Sequence, residues 1–165
     1  MTLPCDAQLV AAREKLNYFD CQIVTLPQPV TAIEAWRMVM ARPLPGMALA
    51  FRIRDAVSVR FGVARIGGFS GAQVVEPKVG DRLDFFTVET IRDDMLTLTA
   101  RDTHLDVMIC VTVAAAEFAI TASVIPHNWF GRAYMIPVGP AHKFIVWAML
   151  RRLRADVARV GLGAA

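Results

Sequence analysis

His104 and Asp106 stand two residues apart in a stretch of β character, His104 to Val113, so both side chains leave the strand on one face, followed there by Met108 and Cys110. On a concave face His104 would serve as general acid or base with Asp106 fixing its tautomer, because an imidazole with a pKa near ~6.5 changes charge in the useful range. The other reading turns this polar face to water and puts Leu105, Val107 and Ile109 inside, and it has the rarity of charged residues in dry interiors on its side. His127 is a third candidate acid or base. With Asn128, Trp129 and Phe130 it follows a strand end, where the chain leaves the sheet for a loop of the kind that forms cavity mouths. A turn in which Asn128 bonds its own backbone is the plainer account of that corner. His142 reads as a packing or helix-terminal residue. The histidines have no metal-ligand spacing such as His-x-x-x-His, and neither do Cys5, Cys21 and Cys110, so no metal and no other cofactor is expected.

Positioning these residues falls to the unit from Gly80 to Arg154. Leu83 to Ile91, Met95 to Arg101, His104 to Val113 and Phe118 to Pro126 are rich in Val, Ile, Thr and Phe and separated by short breaks, the pattern of an antiparallel meander. A long amphipathic helix is expected after Pro137 and Pro140, with Val146, Met149, Leu150, Leu153, Val157 and Val160 forming one apolar stripe. Upstream, Asp6 to Leu16 suits a short helix and Tyr18 to Leu26 a strand ended by Pro27 and Pro29. Thr31 and Glu34 have the form of a capping box before a helix with Ile33, Trp36, Val39 and Met40 on its apolar side. Pro43 and Pro45 stop that helix, and a second runs from about Gly46 to Phe61. The glycine-rich run from Arg65 to Gly71 lacks the Lys-Ser/Thr of a phosphate loop and the full dinucleotide fingerprint, so it reads as a connection.

A chain of 165 residues fits a single domain spanning 1–165 with a core of its own. At 55% hydrophobic residues it carries more apolar side chain than a minimal core needs, and the surplus must line a cavity, an interface or a membrane surface. Val107 to Ile125 holds one charge, Glu117, over nearly the length of a bilayer span. Thr112, Thr121, Ser123 and the alternation of Leu105, Val107, Ile109, Val111 and Val113 make it a hairpin turning near Ala115 and Ala116 instead. With no signal-like amino terminus and an odd cysteine count, a cytoplasmic location is expected. The net charge of +3 is concentrated locally, in Arg52, Arg54, Arg60 and Arg65 and in the last helix. There Lys143, Arg151, Arg152, Arg154 and Arg159 read as a solvated face able to make weak contact with a membrane surface. Aromatic interleaving suited to stacking bases is absent near them, so nucleic acid is not expected as a partner.

The order of one strand, two short helices, an antiparallel run and a long closing helix resembles the helix-grip fold of the START-like (SRPBCC, polyketide cyclase-like) superfamily. Tyr18-Phe19-Asp20, Gly67-Gly68-Phe69, Val79 to Leu83 with Phe86, Arg101-Asp102 with His104 to Asp106, and Pro126-His127-Asn128 with Gly131 to Tyr134 and Pro137-Val138 resemble an uncharacterised bacterial family of domains of unknown function. The resemblance implies an α+β fold in which a curved antiparallel sheet wraps around the carboxy-terminal helix and leaves an apolar cavity. It brings no catalytic set, and fold alone does not decide function. The expected activity is binding of a hydrophobic small molecule such as a lipid, polyketide or aromatic metabolite. Trp36, Met40, Phe86, Arg101, Met108, Cys110, Trp129, Tyr134 and Trp147 are its candidate contacts. The alternatives are a cofactor-independent cyclase, dehydratase or isomerase using His104, Asp106 or His127, and an accessory domain forming a homodimer.

Overall fold

The computed structural model describes residues 7–42, 44–59 and 76–162. The glycine-rich run at 65–71, the end of the second helix at Phe61, Cys5, and Arg60 and Arg65 lie outside the described residues. Strand β1 (Tyr18–Thr25) is followed by helices α1 (Ala32–Met40) and α2 (Met47–Val59). Then come β2 (Arg82–Leu83), β3 (Phe86–Arg92), β4 (Met95–Arg101), β5 (Leu105–Ala114) and β6 (Glu117–Pro126), and finally helix α3 (Trp129–Leu162). The strands form one curved antiparallel sheet of six in the order β1-β6-β5-β4-β3-β2, with α3 as the long closing helix of a helix-grip arrangement.

Several of these elements form for reasons visible in single residues. Thr31 starts α1 through the full capping box: its hydroxyl accepts from the Glu34 amide at 3.3 Å, and the Glu34 carboxylate accepts from the Thr31 amide at 2.9 Å. That same carboxyl is held below its ordinary range by the hydrogen bonds from Thr31. The β5–β6 turn at Ala115 and Ala116 places Ala115 at φ 53°, a left-handed conformation that an alanine adopts only at some cost, so the long pairing of the two strands must impose it. The apolar window from Val107 to Ile125 is therefore a hairpin. No helix among the described residues is long and apolar enough to cross a membrane.

The sheet's two faces differ in chemistry. Val88, Leu96, Leu98, Ile109, Val111, Phe118, Ile120 and Ala122 form the inner face with α1 and α3 upon it, and Val146, Met149, Leu150, Leu153 and Val157 supply the helix's share of the core. The outer face carries Cys21, Thr97, Thr99, Cys110, Thr112, Thr121 and Ser123, all buried. An extended stretch from residue 7 lies against it, where the Gln8 amide donates to Cys110 Sγ at 3.3 Å and the Val10 amide to Ser123 Oγ at 3.0 Å. The helix expected over Asp6 to Leu16 is thus reduced to one 3-10 turn, Arg13–Lys15, because the hydroxyls and thiols of the outer face offer the backbone partners that a helix would otherwise supply.

Two further boundaries differ from the sequence pattern. The strand expected over Leu83 to Ile91 is split by a turn with Asp84 at φ 57°, and β3 is bulged at Glu89, whose carboxylate accepts from Thr99 Oγ1 at 2.6 Å. Helix α3 begins at Trp129 rather than after Pro140. Asn128 starts it, its Oδ1 accepting from the Gly131 amide at 2.9 Å, and the helix then continues through Pro137 and Pro140. Each proline lacks the N–H that would meet the carbonyl four residues earlier, so Ala133 and Ile136 lose intrahelical donors; both are exposed, where water can serve.

Candidate functional site

At the corner between β5, β6 and α3 the histidines and acids meet in a different pairing from the expected one. Residues 107, 109 and 111 face inward, so Asp106, Met108 and Cys110 belong to the outer face, as the reading with Leu105, Val107 and Ile109 inside requires. Asp106 Oδ1 lies 3.1 Å from His127 Nε2, in a pair whose side chains are 25% and 40% exposed. His104 precedes β5 and takes a different partner: its Nδ1 is 2.7 Å from Asn128 Nδ2. Because Asn128 Oδ1 is committed to capping α3, its amide nitrogen is the donor, which makes His104 Nδ1 an acceptor and leaves the proton on Nε2. That Nε2 is buried and has no hydrogen-bond partner. The ring packs edge-on against Phe130, with centroids 5.1 Å apart. Asp102 completes the corner by accepting from the amides of His104 and Leu105 at 2.6 and 2.9 Å. Bonded to a cap residue while Asp106 pairs with His127, His104 serves to join the start of α3 to the sheet. Acid–base work by a His104–Asp106 pair has no geometry here.

The candidate ligand contacts do not converge on one cavity. Trp36 and Phe86 are buried in the core, with their rings at 79° to each other, and Met40 is half-buried beside them. Arg101 is exposed on the outer face, 3.6 Å from Glu89, on the same face as Met108 and Cys110. Burial raises the Cys110 thiol above its ordinary pKa, so it is not a thiolate nucleophile. Trp129 and Trp147 are 71% and 46% exposed on α3, and Tyr134 is half-buried on the same helix. A cleft of about 250 Å³ between the ends of α1 and α3 is walled by Met38, Ala41, Arg42, Asp156 and Arg159. Its charged groups engage each other, with Asp156 at 3.6 Å from Arg42 and 3.4 Å from Arg159.

A polar set that sequence reasoning missed lies inside the grip. Tyr18, Asp20 and Gln22 alternate along β1 and face α3. Tyr18 donates its hydroxyl to the Gly139 carbonyl at 3.2 Å and stands 3.4 Å from His142 Nδ1, while Gln22 Nε2 donates to Asp20 at 2.7 Å and to the Lys143 carbonyl at 2.9 Å. Burial, with the Asp20 charge in support, raises the Tyr18 phenol, and burial lowers His142 despite the opposing pull of Asp20. The period-2 alternation of Tyr18, Asp20 and Gln22 was the available signal. Against Phe19, Cys21 and Ile23 it alternates only loosely, so the pattern does not say which face of the strand is covered.

The His142 shift has a consequence for stability. The folded protein binds this proton more weakly than the unfolded chain, so the contribution is complete above the unfolded value near 6.5 and is lost as pH falls from there toward the folded value. Thermal melts between about pH 7 and pH 5 should show a falling midpoint, and His142→Gln should flatten that slope. An unchanged slope in the variant would assign the acid sensitivity to other groups.

A family model described as "Protein of unknown function (DUF2867)" matches residues 12–149, which take in β1 through the packed middle of α3. No curated protein and no solved structure matches the chain.

Proposed function

Given that the chain belongs to the DUF2867 family of proteins of unknown function, we propose on physical grounds that it binds a hydrophobic small molecule between the inner face of the sheet and the first half of α3. One observation carries the reading. Along the inner face Leu98 and Ile109 are buried, whereas Ala100 and Val107, the next inward-facing residues toward the Arg101–Leu105 end, are only half-buried. Apolar surface is thus left partly accessible at that end of the inner face instead of being sealed, which is how a preformed apolar site begins. Tyr134 and Val138 are half-buried on the flank of α3 that also carries Arg152, whose guanidinium donates to the Arg42 carbonyl at the end of α1. They would border the opening, and the inward-facing Tyr18 and His142 would give a ligand's polar end a hydrogen-bonding partner. The element order supports a place in the wider START-like superfamily, and the free thiols Cys21 and Cys110 suit a reducing cytoplasm.

Ligand binding to the native state raises stability by about 2.7 kcal/mol at a hundredfold excess over Kd, which for a chain of this size is a melting shift of several degrees. Palmitate and a panel of aromatic polyketides are the first probes, read by melting temperature and by native mass spectrometry. Val107→Trp, which fills the opening, should abolish the shift while leaving the unliganded melt close to that of the parent chain. Absence of any shift and of any bound mass across the panel would overturn the proposal.

A further inference from the structure

The side of α3 turned away from the sheet is apolar in its own right. Trp129, Ile136, Phe144 and Trp147 are 71%, 75%, 65% and 46% exposed, and their spacings of seven, eight and three residues put them in one sector of a helix advancing about 100° per residue. Ala133, Pro137, Pro140 and Ala141, all exposed, fill the surface between them. The aromatic rings are organised rather than scattered: Phe144 and Trp147 lie 5.7 Å apart, and the Arg151 guanidinium sits 4.9 Å from the Trp147 ring centroid.

Charge on this side has one sign. Arg132, Lys143, Arg151 and Arg154 are exposed along the stripe, and from Trp129 to Ala155 the helix contains no acidic residue. Arg152 and Arg159 do not belong to it, since Arg152 donates to the Arg42 carbonyl and Arg159 to Asp156. The acid nearest in sequence, Asp156, points to the α1 side, where it meets Arg42.

We propose that this outward face of α3 docks in the plane of an anionic lipid bilayer, with Trp129, Ile136, Phe144 and Trp147 entering the interfacial zone and Arg132, Lys143, Arg151 and Arg154 engaging lipid phosphates. Aromatic rings and long cationic side chains on a helix lying in the surface plane are the chemistry that such an interface selects. Over the stretch from Trp129 to Arg154 the helix offers roughly 40 Å of contact at about 1.5 Å per residue. A second copy of the chain fits less well, because a two-fold pairing would set this cationic face against itself with no carboxylate to answer it. The face is distinct from the proposed ligand site, which lies on the opposite side of the same helix.

Sedimentation of the full chain with phosphatidylcholine vesicles, with and without phosphatidylserine, tests the proposal. Binding is expected only with the anionic lipid, with a blue shift of tryptophan emission and a loss of binding at high salt. Phe144→Ser with Trp147→Ser should weaken it about tenfold, and Arg151→Gln with Arg154→Gln by a similar factor, with melting temperatures unchanged because these groups are exposed. Failure to bind phosphatidylserine vesicles would overturn the proposal. So would equal binding by the arginine variant, or a dimer in sedimentation equilibrium that the Trp147 change dissolves while vesicles remain unbound. Preference for a single-stranded oligonucleotide over vesicles would assign the face to a different partner and overturn it as well.

Discussion

Gly131→Ala is expected to lower the free energy of unfolding by about 3 kcal/mol, even though alanine is favoured over glycine inside a helix by about 1 kcal/mol. A methyl group at Gly131 would run into the backbone carbonyl oxygen of His104 and would lie 3.1 Å from Pro126 Cβ and 3.2 Å from the His104 carbonyl carbon. The obstructing atoms are largely backbone, so no rotamer change relieves them. Nor can the carbonyl retreat cheaply, because it accepts from the His127 amide at 2.7 Å, while Asn128 ties the same turn to Gly131. Urea denaturation reads the effect. A variant within about 0.5 kcal/mol of the parent chain would mean that the start of α3 slides freely against the sheet.

Phe118→Ala should cost about 3–5 kcal/mol, the range for removing a fully buried aromatic ring. Phe118 is 0% exposed on the inner face, so the cavity left behind is enclosed on all sides. In melting temperature the loss is on the order of 10 °C. Phe144→Ala deletes the same atoms from a residue that is 65% exposed and should stay within about 0.5 kcal/mol. Equal losses from the two substitutions would contradict the assignment of inner and outer surfaces.

Residue patterns carried the architecture well where one face of an element is buried. The meander from Met95 to Pro126, the capping box at Thr31 and the stripe from Val146 to Val157 follow from period and cap chemistry, and the structure has each of them. Proline misplaced the start of α3, because the usual rule counts the missing N–H but not the exposure of Ala133 and Ile136, which lets water take its place. The site was less legible. The pattern leaves open which face carries His104 and Asp106, and their partners, Asn128 and His127, come from the following corner, about which spacing within one strand carries no information. Hydrophobicity also misleads on α3: because large aromatics are usually buried, it places Trp129 and Trp147 among the ligand contacts, whereas they share the exposed side with Ile136 and Phe144.

The pairing of β1 with β6 has a kinetic consequence. Cys21 and Thr121 meet across a sequence separation of 100 residues, while β3 to β6 are joined by short turns. Closing so large a loop is entropically costly before any contact rewards it, so the meander gains structure early and β1 joins late. Substitutions in β5 and β6 should then slow folding, whereas those in β1 chiefly accelerate unfolding. The strand that arrives last carries Tyr18, Asp20 and Gln22, so the inner polar set is assembled only when the chain commits to its native topology, and a chain lacking that final strand pairing presents an apolar sheet without the polar groups that β1 supplies.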